Sequence, residues 1–300
     1  MTLANRSTTR QKGMAIIGAL LVVAAASVAT ASILERQSYL ADTLVGERDR
    51  AQARWLLRGG IDWARILLFA DARNNAVTLR SAIWAQPISG FEVRDPASGR
   101  TAWFSGMIED EQGKFNLTRL AVDGVVQRDE VAALEKLLGA LDTPTGLAGA
   151  IAHRVAAAQA GPQGASAPAL RTPQDLSGVE GMSPEALATL ATYLTLLPER
   201  TPINVNTAPA EVLSAAIPGL SLGQARSLTQ ERDRGQWFNS RGDFLNRLAG
   251  TRDAVDAPLD VRSRWFKVTG QVTLAHAQAS MQALLHRAGD APPAVRWIED

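Results

Sequence analysis

The sequence predicts an α+β fold in which one long N-terminal helix lies on an antiparallel sheet and a large all-α insertion interrupts the strands. Three observations carry this. An uncharged apolar run at residues 14–33 continues into helically spaced apolar residues as far as 74. Strand-like alternation stands at 91–108 and returns at 264–274. Between the two, from 118 to 263, the pattern is helical, broken by turn residues. The chain has 300 residues and 46% hydrophobic content, enough for one large or two ordinary domains. Its formal net charge of +1 gives no long-range attraction to nucleic acid or an anionic membrane surface. Without cysteine it has no disulfide or thiol chemistry.

Residues 1–13 are polar and carry Arg6, Arg10 and Lys12 with no acid. The uncharged run that follows is about 30 Å long as a helix, the thickness of a bilayer's hydrocarbon core. One charge at its centre would cost about 2.5–3.5 kcal/mol on insertion scales. The basic flank belongs on the cytoplasmic side, which makes the chain single-pass and puts everything beyond about residue 34 outside, in the periplasm of a Gram-negative cell. Three readings of this start compete. One is a secretory signal cut near Ala29-Thr30-Ala31. Another is a plain signal anchor. The third rests on Gln11-Lys12-Gly13 followed by Met14 and the apolar helix, which resembles the prepilin peptidase site of type IV pilin-like proteins. That resemblance implies cleavage after Gly13, methylation at Met14, and an anchor that stays in the inner membrane. Most pilins carry glutamate four residues beyond the new terminus; Gly18 stands there. Gly18 reads either as a helix-packing residue or as the mark of a subunit with nothing stacked on it at that end. In the type II secretion family the K subunit lacks this glutamate and sits at the pseudopilus tip.

Residues 34–74 continue the helix. Leu40, Leu44, Ala51, Trp55, Ile66 and Leu67 recur at helical spacing, with Arg48, Asp49, Arg50 and Arg54 between them. The stripe reads first as core contact and alternatively as a partner-helix surface, with Leu40, Leu44 and Trp55 as contact residues. Gly46 and Gly59-Gly60 are places where the helix can bend. Phe91 to Arg94 and Ala102 to Ile108 read as a hairpin around the turn cluster Asp95-Pro96-Ala97-Ser98-Gly99, with a third strand at 114–117. So small a sheet is marginal alone. Residues 264–274 alternate over a long run, and 279–286 read as their partner strand or as helix. One sheet built from both ends of the chain against the first helix is the economical solution, and it is the pilin architecture.

The expected organisation is a leader at 1–13, a transmembrane helix at 14–33, pilin-like helix and first strands at 34–125, an inserted helical domain at 126–258, and the remaining strands at 259–300. Two helices are expected within 128–158, the first marked by Glu130, Leu134, Leu137, Leu138 and Leu141. Residues 161–168 read as a linker. A weak repeat follows at an offset of 38 residues: Gly181-Met182-Ser183 leads to Leu190, and Gly219-Leu220-Ser221 leads to Leu228. Asn206 or Thr207 is the expected cap of the helix that contains Pro209 in its first turn. The string from Ile203 to Leu213, then Ile217 to Ala225, then Phe238 to Leu245, resembles helix-hairpin-helix (SAM-like) modules. More closely it resembles the helical domain of general secretion pathway protein K, as does the upstream run Gly113-Lys114-Phe115-Asn116-Leu117.

Helix-hairpin-helix modules often hold DNA through glycine-rich hairpin amides. Ser183 and Ser221 stand where the second glycine belongs, and their side chains obstruct a close backbone approach. Arg226, Arg232 and Arg234 are offset by Glu231 and Asp233. A membrane-tethered DNA-binding protein of a competence or pilus system is therefore the alternative function, and no nucleic acid is expected. No Gly-x-Ser-x-Gly elbow, HExxH or P-loop is present, and His153, His276 and His286 lie far apart in sequence, so no enzyme is expected. Glu109-Asp110-Glu111 reads as a solvated turn. No cofactor is required. The resemblance leaves room for a structural calcium ion, and Asp253, Asp256 and Asp260 are its oxygen-donor candidates, though no EF-hand loop frames them. Taken together, the resemblance implies a non-enzymatic tip subunit of the type II secretion pseudopilus. Its implied partners are minor pseudopilins I and J and the prepilin peptidase; contact with secreted cargo or the secretin is left open.

Overall fold

The computed structural model describes residues 8–95, 99–159, 161, 164–248, 256–289 and 291–299. Helix α1 runs unbroken over Thr8–Asn74, past both Gly46 and the Gly59-Gly60 pair. Five antiparallel strands form the main sheet: β1 (Ile88–Arg94), β2 (Thr101–Asp110), β3 (Trp265–Thr273), β4 (Gln278–His286) and β5 (Ala294–Glu299), in that spatial order. The sheet is thus built from both ends of the chain, and 279–286 belongs to a strand, in register with β3 from Gln278↔Thr273 to His286↔Trp265. The edge strand β5 is a further element.

One face of α1 meets the sheet. Ala53, Leu57, Ile61, Ala64 and Leu68, spaced three and four apart, are buried against Ala102, Phe266, Val268, Val272, Ala283 and Leu285. Two glycines permit the close approach. A Cβ on Gly60 would lie 2.7 Å from Cζ of Phe104, and one on Gly270 would lie 3.0 Å from Cδ2 of Leu57. The expected core stripe is therefore displaced. Leu40, Leu44 and Trp55 point away from the sheet and are 64%, 69% and 70% exposed. The helix is apolar on two opposite faces, and spacing alone cannot say which of them meets the sheet. Asp49, expected on the solvated side, is buried: it takes Nη1 of Arg100 at 2.6 Å and Nδ1 of His276 at 3.2 Å, tying the β1–β2 and β3–β4 turns to α1.

The chain leaves the sheet at Asp110 and rejoins it at Trp265, so the helical insertion begins before the expected boundary of 126 and ends after 258. It holds α2 (Arg128–Ala140), α3 (Leu147–Ala158), α4 (Pro184–Tyr193), α5 (Ala210–Ala216), α6 (Leu222–Asp233) and α7 (Arg241–Arg247). Leu134, Leu137 and Leu138 of α2 are fully buried in its core with Ile151, Val212, Phe238 and Phe244. The expected third strand at 114–117 does not join the main sheet. Phe115–Asn116 pairs in parallel with Leu194–Thr195 inside the insertion, because the chain has already turned away from β2. Both hairpin repeats form. Gly181 and Gly219 take φ of 83° and 76°, and Ser183 and Ser221 cap α4 and α6 by accepting from the amides of Ala186 and Gln224. Helix α5 begins differently from expectation, with Pro209 at its N-cap position and no side-chain cap. Asn206 instead makes two bonds to the backbone of Phe238, and Thr207 donates to Asp110.

Candidate assembly surface

The outward face of α1 begins in the apolar run. An 18-residue stretch there has mean hydropathy 2.3, and none of it is buried. By length and composition this helix can cross a membrane. Ser27, Thr30 and Ser32 donate their hydroxyls to carbonyls four residues back, at 2.8, 2.8 and 3.0 Å, so even its polar side chains are satisfied within the helix. A Cβ added to Gly18 would meet no neighbouring group within 4 Å.

Beyond the membrane length the same face stays apolar. Val22, Ile33, Leu44, Trp55 and Ile66 recur every 11 residues and are 57–70% exposed. An 11-residue period corresponds to about 3.67 residues per turn, close to the helix's own, so these side chains hold nearly one line along it. Leu40 and Ala51 flank the line. The sequence-derived contact residues Leu40, Leu44 and Trp55 therefore share one face, opposite the sheet. Met14, the expected new terminus, is 76% exposed, and Gly13 is inside the helix.

Behind this face a buried polar junction fastens the insertion to the sheet. Asp110 ends β2. Its Oδ2 accepts from Ser263 Oγ at 2.6 Å, Thr207 Oγ1 at 2.6 Å and Asn204 Nδ2 at 2.9 Å, and its Oδ1 accepts from the Gln112 amide at 2.9 Å. Burial pushes its carboxyl above the ordinary aspartate range, against the pull of these four bonds. Arg287, just past the end of β4, donates to Leu68 O and Asp71 Oδ2 of α1, to Thr78 Oγ1 and to Ser263 O. Helix, sheet and insertion thus meet in one hydrogen-bonded knot. Beside it Glu111 accepts from Lys114 Nζ at 2.6 Å and from Thr195 Oγ1 at 2.5 Å, and Glu109 pairs with Lys267 at 3.0 Å. Burial acts to raise the Glu109 pKa, but Lys114 and Lys267 outweigh it and hold the carboxyl below its ordinary value. The expected solvated turn at Glu109-Asp110-Glu111 is accordingly wrong for Asp110 and Glu111, both buried because the insertion folds down over the end of β2. Neither Asp110 nor Arg287 carries a local signal; only alternation within β2, which turns even-numbered residues inward, hints at Asp110.

Of the three metal candidates the structure describes Asp256 and Asp260. Asp253 lies outside the described residues, Asp256 is exposed, and Asp260 Oδ1 accepts from the Val261 amide at 2.7 Å. Among the described residues no group of three or more His, Asp or Glu side chains is placed to hold a metal ion. His276 serves Asp49, and His286 stacks on Trp265 with ring centroids 4.2 Å apart.

Two family models, both described as type II secretion system (T2SS), protein K, match the insertion, one over residues 113–199 and one over 203–262. Type II secretion system protein K of Pseudomonas aeruginosa is 28% identical over 307 residues, covering 93% of this chain and 90% of that protein. The protein of the same name from Klebsiella pneumoniae is 28% identical, covering 93% and 94%. Over nearly its whole length the chain is similar to type II secretion system protein K. It shares its fold with a chain of the GspK-GspI-GspJ complex from the enterotoxigenic Escherichia coli type 2 secretion system. That match has a TM-score of 0.64 and 20% identity, over 84% of this chain and 97% of the other. The family's helical domain here differs from a phosphate-gripping hairpin pair. The hairpin serines are spent on capping, Arg232 is buried and donates to Val205 O and Ala208 O, and Arg226 pairs with Glu211.

Proposed function

We propose that this chain is the non-enzymatic tip subunit of a type II secretion pseudopilus. Cleavage after Gly13 by the prepilin peptidase frees Met14. The apolar half of α1 stays in the inner membrane with its start on the cytoplasmic side, and the sheet and insertion stand in the periplasm. The observation that carries this reading is the exposed apolar line of α1, which outruns the membrane span and has no cover in the monomer. Its natural cover is a parallel helix rising from the same membrane, as in minor pseudopilins I and J, and an 11-residue period favours a right-handed wrap of such helices. Gly18 supports the terminal position, since it offers no carboxylate to a neighbour's amine. The helical insertion would then block addition above it, giving an initiating and capping role. Any calcium ion would have an accessory, structural part.

The test is co-purification of the full chain with subunits I and J from detergent-solubilised membranes, comparing wild type with Leu44→Asp and Trp55→Asp. A buried interface tryptophan is worth about 2 kcal/mol or more, so W55D should lower recovery of the partners by about thirtyfold or more at limiting concentration. Both side chains are exposed in the monomer, so its thermal unfolding should not change. Full recovery of I and J by both variants would end the proposal.

A further inference from the structure

The outer edge of β2 bounds a second surface, independent of α1. Strand β1 reaches only to Ile88, opposite Gly106, whereas β2 runs on to Asp110 paired with β3 alone. Over residues 107–110 the backbone therefore has a ladder partner on one side only. Free edges of this kind are ordinarily covered or blocked. This one opens into a cleft of about 470 Å³ between sheet and insertion, lined among others by Arg80, Trp84, Met107, Glu109, Lys114 and Tyr193. That is within the usual size of ligand pockets, roughly 300–1,000 Å³.

Two unmet donors border the cleft. Trp84 is 3% exposed, and its indole N–H has no hydrogen-bond partner, although buried donors are nearly always paired. Arg80 is exposed and has no ion-pair or hydrogen-bond partner among the described residues. The other charges lining the cleft are matched: Lys114 by Glu111 and Glu109, Glu109 by Lys267, and Asp110 by its four donors. What the cleft lacks is a negative charge for Arg80 and a strand beside residues 107–110.

We propose that this cleft binds an extended segment of another polypeptide that carries an acidic side chain, added as a short strand to the free edge of β2. Its carboxylate pairs with Arg80, and its apolar side chains rest on Met107 and Tyr193. Four paired residues span about 13 Å, and main-chain hydrogen bonds with a few side-chain pockets are the usual basis of such strand addition. None of the residues lining the cleft is on α1, so this binding and helix-face assembly can fail separately.

The test is fluorescence anisotropy with the full chain in detergent and the labelled peptide acetyl-Thr-Val-Asp-Val-Thr-amide. Two control peptides are used, one with Asn in place of Asp and one with alternate backbone nitrogens methylated. Wild type should bind the acidic peptide saturably. The Asn peptide, and the Arg80→Gln variant with the acidic peptide, should each bind about tenfold more weakly, as for loss of a charged hydrogen bond. The methylated peptide should not bind. Arg80 is exposed, so R80Q reports on binding without a folding defect. Absence of saturable binding to wild type, or equal binding of the Asp and Asn peptides, would overturn the proposal.

Discussion

Replacing Asp110 with alanine should uncouple the insertion from the sheet. The carboxylate is the common acceptor for Ser263, Thr207, Asn204 and the Gln112 amide. Without it Asn204 keeps Thr78 O and Ser263 Oγ, and the two hydroxyls can turn elsewhere, Thr207 toward Asn204 O at 3.4 Å. The Gln112 amide cannot turn and is stranded. One or two unsatisfied buried donors at about 1–3 kcal/mol each put the loss near 3 kcal/mol. Asn at 110 is milder: it keeps one acceptor oxygen and sheds the cost of a buried charge, but its NH₂ must face either Gln112 or the three side-chain donors. The expected order of stability is wild type, then D110N, then D110A. The pH dependence has a definite sign. Because the folded-state pKa is raised, Asp110 contributes stability that is fully present below its unfolded pKa near 3.8 and is lost as pH rises through the folded value. The difference between wild type and D110N should therefore shrink as pH climbs through that window. Urea unfolding of the detergent-solubilised chain, followed by tryptophan fluorescence, measures both, since Trp84 and Trp265 are buried close to the junction. A D110A midpoint within error of wild type would refute the reasoning.

Three further outcomes follow from neighbouring contacts. A Cβ on Gly113 would sit 2.9 Å from Thr207 Oγ1 and 3.1 Å from the Thr207 carbonyl carbon, so Gly113→Ala should cost about 1–3 kcal/mol by overpacking; combined with D110N the losses should be less than additive, as a double-mutant cycle will show. Asp49→Ala should free both hairpin turns for about 1–2 kcal/mol, since Arg100 and His276 retain access to water; hydrogen exchange at the amides of Asp95 and Leu274, which donate to Arg100 O and Ala277 O across the two turns, should speed up while the centre of β3 does not change. Burial and the neighbouring Arg296 push the His286 pKa below its ordinary 6.5, and Arg296 donates to its Nδ1 at 2.9 Å. A depressed folded-state pKa gives stability present above 6.5 and lost as pH falls through the folded value; thermal unfolding of His286→Phe, which keeps the stack on Trp265, should lack that loss, and identical acid profiles would dismiss it.

The regular elements were legible because each is declared by local periodicity. An uncharged helix long enough for a membrane, period-two alternation at Trp265–Thr273, and glycine-serine turns before α4 and α6 need no tertiary information. What was illegible depended on which surfaces meet. Spacing identified the apolar residues of α1 but not which of its two apolar faces takes the sheet; Ala53 and Ala64, small enough for close packing, won over Leu44 and Trp55. Asp49, Asp110 and Glu111 look like solvated charges in sequence, and only long-range partners such as Arg100, Ser263 and Thr195 show that they are internal. Phe115–Asn116 has strand chemistry, yet its pairing partner lies beyond three helices, at Leu194–Thr195.

The separation of these two classes of residue bears on how such a subunit works. The outward line of α1 is apolar, exposed and continuous from the membrane run to Ile66, suited to association that is driven by burial. The junction at the C-terminal end of α1 is polar, buried and directional. Asp110 and Arg287 between them bind the C-terminal end of α1, the ends of β2 and β4, and both the entry and exit segments of the insertion. α1 is therefore joined to the insertion through a few short hydrogen bonds rather than through a flexible tether. Apolar contacts alone would tolerate sliding of the insertion over the sheet, because they have no preferred direction. Four donors converging on one carboxylate do not, since small rotations lengthen several bonds together. That directionality is the physical reason to retain a buried acid where a leucine would fold more cheaply.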